Sequence, residues 1–179
     1  MRADEVESLV REGQRNPLWK PHSGNVQVNF AEDEVKQIIP HRDPFLFVDE
    51  IVGVNLARNC VCGHRTISPR DPVFEGHIPG DPIYPGVLHV ETIGQMALCL
   101  IYFRAVGSAT VSAEIRLDKL LALRIHHAVV LRAILPGDHL EIQARLIVDN
   151  DFTVICEGQI LKNGRICSFA IMELIYVDR

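Results

Sequence analysis

Three stretches in the last third of the chain alternate apolar and polar positions with a period of two. They are "HLEIQARLIVD" (139–149), "FTVICEGQILK" (152–162) and "RICSFAIMELIYV" (165–177). That period marks strands with one face turned inward. Asp149-Asn150-Asp151 supplies turn chemistry between the first two, and Asn163-Gly164 between the second and third is a strong two-residue hairpin signal. Earlier, "FLFVDEIVGVN" (45–55) and "ARNCVCGHRTIS" (57–68) read as two further strands, apolar or β-branched, with turn residues between them. The leucines of "LDKLLALRIHHAVVLRAI" (117–134) fit a strand or a helix. We read it as a strand, because "LPGD" closes it as a turn and the next run pairs naturally with it.

One segment departs from the period of two. In "PGVLHVETIGQMALCLIYFRAVG" (85–107) apolar residues run almost all the way round a helix, so the helix should be enclosed by other elements. Pro85 suits its first turn and Gly107 its stop. His89, Glu91, Thr92 and Gln95 interrupt the apolar run, which makes it a core helix rather than a membrane span. "AEDEVKQIIP" (31–40) fits a short helix with early acids, stopped by Pro40. Residues 3–13 have weak helical character, with Val6, Leu9 and Val10 on one side, and "NPLWKPHSG" (16–24) breaks it. The chain thus divides into an N-terminal arm, 1–30, and one domain, 31–179. The predicted fold is α+β: an antiparallel sheet of about five or six strands wrapped around one long central helix.

Composition narrows the function classes. At 179 residues, 47% apolar and 23% charged, the chain is a folded single domain. Its net charge of −5 argues against nucleic acid and anionic membranes as partners. Five cysteines, odd in number and mostly in apolar runs, suit packed thiols rather than a disulfide framework. With acids in "MRADEVESLV" where a secretory signal would be apolar, the expected location is the cytoplasm. Cys60, Cys62 and His64 share one face of a strand, but no fourth ligand is evident, so no metal is expected. His126-His127 reads as a strand pair. There is no phosphate-binding glycine loop, Ser-His-Asp order or cysteine nucleophile motif.

The chemistry-bearing stretch is "GHIPGDPIYPGVLHVETIGQ" (76–95). His77 stands in a loop that Pro79, Gly80, Pro82, Pro85 and Gly86 keep from being helical. Glu91 follows 14 residues later among Val, Leu and Ile, where burial would favour the protonated acid. Gly86 sits at the helix start, where unpaired N–H groups meet any oxygen that comes close. A base, an oxyanion donor and an acid can take a proton beside a carbonyl and protonate a leaving hydroxyl. Taken alone, a loop histidine is more often structural, and a helical Glu more often paired with a cation.

Two motifs add to this. "IIPHRDPFLFVDEIV" followed by "FEGHIPGDPIYPGVLHVETIGQ" resembles the β-hydroxyacyl-acyl carrier protein dehydratases, the FabZ-type hot-dog proteins. Pro40, His41, Arg42, Pro44, Phe45, Leu46, Val48 and Asp49 match the family's first motif. Gly76, His77, Pro79, Gly80, Pro82, Pro85, Gly86, Val87, Leu88, Glu91 and Gln95 match the second. The resemblance covers roughly residues 31 to 177. It implies a hot-dog fold that needs no cofactor and dehydrates a (3R)-hydroxyacyl thioester to the trans-2-enoyl thioester. It makes His77 the catalytic histidine, Glu91 the catalytic acid and Gly86 N–H the contact to the thioester oxygen. His41, Pro44, Phe45, Ile78, Pro85, Val87 and Gln95 would shape the substrate pocket.

The resemblance also implies partners. His77 and Glu91 would meet across a homodimer, which could assemble further into a trimer of dimers. The substrate would arrive as a β-hydroxyacyl phosphopantetheine thioester on an acidic acyl carrier protein, with Arg132 and Arg124 in the docking face. Ile78, Asp43 and Thr92-Ile93-Gly94 depart from the usual residues beside the acyl tunnel, which leaves chain length and pathway open. Two alternatives stand beside dehydration: a hot-dog acyl thioesterase, and a non-catalytic acyl-binding subunit of a dehydratase complex.

Overall fold

A computed structural model describes residues 1–177, so the last two positions of the domain expected over 31–179 lie outside the described residues. In chain order the elements are α1 (Ala3–Gly13), β1 (Val26–Phe30), α2 (Glu32–Ile38), β2 (Glu50–Asn55), β3 (Cys60–Thr66), α3 (Val73–Gly76), α4 (Gly86–Val106), β4 (Leu120–Val130), β5 (His139–Asp149), β6 (Thr153–Lys162) and β7 (Arg165–Tyr176). Among the described residues the strands form one seven-stranded sheet in the order β1-β2-β3-β5-β6-β7-β4. Every neighbouring pair is antiparallel.

The sheet wraps α4, the 21-residue helix. By length and composition alone α4 could cross a bilayer; here Ile93, Met96, Ala97, Leu100 and Phe103 are fully buried against the sheet. Contact is close enough that a Cβ added to Gly158 of β6 would come within 2.3 Å of Ile93 Cγ2. Gly107 ends the helix at φ 76°, its N–H bonded to the Phe103 carbonyl at 2.9 Å. The last three strands follow the alternation. Ala170, Met172 and Leu174 of β7 face α4, while Phe169 and Ile171 form a second small cluster on the outer face. Asn163 and Gly164 both take positive φ, 51° and 72°, as the β6–β7 hairpin requires. Asn150 Oδ1 accepts from the N–H groups of Phe152 and Thr153 in the β5–β6 turn.

The segment that fitted strand or helix is β4, an edge strand paired only with β7. The strand expected from Phe45 begins instead at Glu50. Residues 45–47 give their backbone groups to a side chain: Gln95 donates to the Phe45 carbonyl at 2.9 Å and accepts from Phe47 N–H at 2.7 Å.

The stretch expected as an arm, 1–30, contributes to the sheet. Residues 26–30 are β1, an edge strand whose register sets Val26 opposite Val54 and Phe30 opposite Ile51. The preceding residues cross the outer face of the sheet. Leu18 N–H donates to Gln159 Oε1 at 2.9 Å, Gln159 Nε2 donates back to the Asn16 carbonyl at 2.8 Å, and Trp19 N–H donates to Gln143 Oε1 at 2.7 Å. Val6, Leu9 and Val10 of α1 pack on Ile155, Phe169 and Ile171.

Candidate active site

The loop from His77 to Tyr84 is fixed at both ends. His77 N–H bonds the Val73 carbonyl at the end of α3, and Tyr84 N–H bonds the Ile134 carbonyl. Within it, Gly80 and Ile78 take positive φ, 89° and 55°; the second is uncommon for a β-branched residue. His77 Nδ1 lies 2.8 Å from the Ile83 carbonyl oxygen. A carbonyl only accepts, so Nδ1 carries the hydrogen, and the neutral ring keeps its lone pair on Nε2. Nε2 is therefore free to take a proton.

Gly86 opens α4 immediately after Pro85, whose extended backbone caps it. Its N–H is one of the unpaired donors of a helix start. A Cβ there would press on Val130 Cγ2 at 3.1 Å.

Glu91 lies a turn and a half further along. The sequence places it among apolar neighbours, yet its side chain is 34% exposed in the single chain. The first turns of α4 reach beyond the sheet's cover, so the burial expected of Glu91 is not met by one chain alone. What holds it is polar: Gln95, fully buried one turn on, donates to Glu91 Oε1 at 2.9 Å. The His41 ring stands 3.6 Å from the same oxygen. Burial lowers the His41 pKa, and the nearby Glu91 carboxylate opposes that only in part.

The expected pocket residues fall into two groups. His41, Pro44, Phe45 and Gln95 gather around Glu91, with a cis bond before Pro44 and the His41 and Phe45 rings 6.5 Å apart. Ile78 stays with His77, and Pro85 and Val87 stand at the start of α4. Among the described residues, no hydrogen bond or ion pair links His77 to Glu91 within the chain. Arg42 turns away from the site, donating to the carbonyls of Lys36, Ile39 and His41 at the end of α2.

Of the two basic residues expected in a docking face, Arg124 is exposed on β4, in register with Glu173 of β7. Arg132 ties its guanidinium to the Ile166 carbonyl. Arg104 pairs with Asp149 at 3.0 Å at the far end of α4. Cys62 leans on Glu141 and His64 on Glu50. Among the described residues, no three His, Cys, Asp or Glu side chains converge as a metal site. All five cysteines are free and buried, and burial raises their pKa values. His126 pairs with Glu173 at 2.8 Å.

Sequence reasoning misses Arg65. Almost fully buried on β3, it lies over the Phe47 ring at 4.5 Å, donates to the Leu46 carbonyl at 2.7 Å and pairs with Asp71 at 3.5 Å. It also lies near the Tyr84 ring. One guanidinium thus joins the segment carrying His41 and Phe45 to the loop carrying His77. Little in the sequence marks it, since Arg65 stands between His64 and Thr66 at the polar end of β3.

A sheet curled around one helix, with a histidine loop before that helix and an acid on it, defines a hot-dog protein of the dehydratase class. The model of the FabA-like domain matches residues 39–170. A 3-hydroxyacyl-[acyl-carrier-protein] dehydratase FabZ from a Nitratiruptor species is 32% identical over 147 residues, covering 82% of this chain and 97% of that one. The FabZ of Campylobacter curvus is 30% identical over 146 residues with the same coverage. The chain belongs to the FabZ-type dehydratase family. Among solved structures, a chain of the dehydratase heterocomplex ApeI:P from Xenorhabdus doucetiae superposes with a TM-score of 0.62 at 21% identity, over 81% of this chain and 91% of that one. A phenylacetic acid degradation-related protein, a putative thioesterase from Ralstonia eutropha, reaches 0.50 at 16% identity, over 70% and 82%. Both likenesses concern the fold alone.

Proposed function

We propose that this chain dehydrates (3R)-3-hydroxyacyl thioesters, carried on acyl carrier protein, to trans-2-enoyl thioesters in fatty acid or polyketide-type synthesis. His77 Nε2 removes the α-proton, Gly86 N–H holds the developing enolate oxygen, and Glu91 protonates the departing hydroxyl. The observation that carries this reading is the His77 Nδ1 contact to the Ile83 carbonyl, which leaves the other nitrogen as the base. Gln95 supports Glu91 as the acid: donating to Oε1, it leaves Oε2 to carry and release the proton. No cofactor is required, because the thioester already acidifies the α-proton.

The working unit is a homodimer, and three such dimers can assemble further. His77 and Glu91 are unpaired within one chain, and β4 offers an open edge with Leu121, Leu123 and Ile125 half exposed. An open apolar edge favours pairing with a second copy. A dimer across it would also cover Glu91 and supply the burial that one chain lacks. The carrier docks near Arg124 and Arg132, and the protein works in the cytoplasm, where its buried free cysteines persist.

The test is interconversion of enoyl and hydroxyacyl thioesters by the wild type, His77→Ala and Glu91→Gln. Turnover in the wild type falling roughly 10²- to 10⁴-fold in each variant supports the reading. Release of free thiol would instead mark a thioesterase. A wild type that binds the thioester without turnover, even on the carrier protein, would mark a non-catalytic subunit.

A further inference from the structure

A cavity of about 430 Å³ lies between the start of α4 and strands β4 and β7. It exists because small residues face one another there: Gly86 on the helix, Ala128 on β4, and Ser168 and Ala170 on β7. Val90 and Ile93 complete a largely carbon wall. Two polar side chains break it, and neither makes a well-formed hydrogen bond. Ser168, 2% exposed, points inward with its Oγ unbonded. His89, 1% exposed, has no ring nitrogen in a well-formed hydrogen bond, and the Tyr84 backbone is its one weak polar contact. Its ring stacks on Tyr84 at 5.7 Å between centroids.

Two buried polar groups without well-formed hydrogen bonds each cost stability that an aliphatic side chain would not. A cavity between them is where a ligand offsets that cost. Resting on the dehydratase reading above, we propose that this cavity holds the acyl chain and that His89 and Ser168 select chains bearing a neutral oxygen substituent, a hydroxyl or keto group, beyond C3.

Three observations fix that chemistry. The walls suit hydrocarbon. Burial drives the His89 pKa down to about 4, with the Tyr84 backbone opposing only in part. The ring is therefore neutral at neutral pH, offering one N–H and one lone pair, and it does not attract a carboxylated chain. Ser168 likewise offers one donor and lone pairs, so the two match a hydroxyl or carbonyl oxygen between them. Finally, His89 stands one turn past Gly86, about 4.5 Å along the helix axis. Glu91, the acid that meets the leaving 3-hydroxyl, is not among the residues lining the cavity, so an oxygen held between His89 and Ser168 is a different one.

The experiment compares 3-hydroxyacyl pantetheine thioesters of equal length, with and without a distal hydroxyl. Turnover and calorimetric binding are measured on wild type, His89→Leu and Ser168→Ala. We expect the wild type to prefer the hydroxylated chain in kcat/KM and in Kd by roughly 10- to 100-fold. Ser168→Ala should reduce that ratio and His89→Leu reverse it, because a plain chain then meets only carbon. Equal handling of both chains by wild type and variants overturns the proposal while leaving the dehydratase reading intact; His89 and Ser168 would then be satisfied by water. An unchanged preference in His89→Leu overturns it as well. Should a second copy of the chain fill the cavity, His89→Leu would change the mass in solution and no selectivity would appear, which also sinks it. Absence of turnover on either thioester fails the dehydratase reading, and the binding ratio still decides the cavity.

Discussion

Gln95 commits its whole amide to three neighbours, two of them backbone groups of residues 45–47 and the third the carboxylate of Glu91. Gln95→Leu would leave Phe47 N–H and the Phe45 carbonyl without partners inside the protein. We expect a loss of about 2–3 kcal/mol in denaturant unfolding, and a fall in kcat of roughly tenfold or more as Glu91 loses its orientation. A second prediction concerns acid. The His89 pKa falls from 6.5 to about 4 on folding, so between these values the unfolded chain binds a proton that the folded one refuses. Stability is thus fully present above pH 6.5 and is lost as pH falls toward 4, by about 3 kcal/mol from this one group. Asp49 and Glu157, whose carboxyl pKa values burial raises, act in the opposite sense and remain in a His89→Leu variant. Unfolding curves of the two proteins across this range should therefore diverge by that single proton, wild type losing more.

At the scale of elements, the arm is the part most open to test. Trp19 is the chain's one tryptophan, and a Cβ on Gly53 of β2 would lie 2.5 Å from its ring. Gly53→Ala should lift the indole off the sheet. The expected readout is a red shift of intrinsic fluorescence, with faster protease cleavage between residues 13 and 24. No change in either would mean that the arm does not rest there in solution. These contacts also explain what the sequence could and could not convey. The β6–β7 hairpin and the Gly107 stop were legible because Asn163-Gly164 and Gly107 act on their own backbone. β1 was not: "VQVNF" is short, and what makes it a strand is the open side of β2. Gln143 and Gln159 alternate correctly as outward residues, yet are buried, because the arm covers them. Glu91 errs in the other direction. Its neighbours in sequence are apolar, but how far the sheet reaches over α4 is a property of the fold, and one chain leaves it partly open.

For the whole molecule, the prediction follows from the proposed sharing of His77 and Glu91 between two copies. If each site takes one residue from each chain, the inactive variants His77→Ala and Glu91→Gln should rescue one another when refolded together. Half of the random dimers would be mixed, each with one intact site, so about a quarter of wild-type activity should return. A site complete within one chain would restore none. Leu123→Lys on the β4 edge, a position 53% exposed in the single chain, should lower the mass in solution from dimer to monomer and remove activity with it. Equilibrium sedimentation alongside the interconversion assay would check both.

The order of elements along the chain has a consequence for how the protein is made. α4 is complete at Val106, whereas the strands that enclose it, β5 to β7, end only at Tyr176. At the pace of translation those further residues take roughly 4–14 s. During that interval a 21-residue apolar helix, long enough to be mistaken for a membrane segment, has only β1 to β3 to rest on. α1 and the arm, made before α4, wait longer still, since the outer face they cover belongs to β5, β6 and β7. Until β5 to β7 are made, the side of α4 that they enclose stays uncovered.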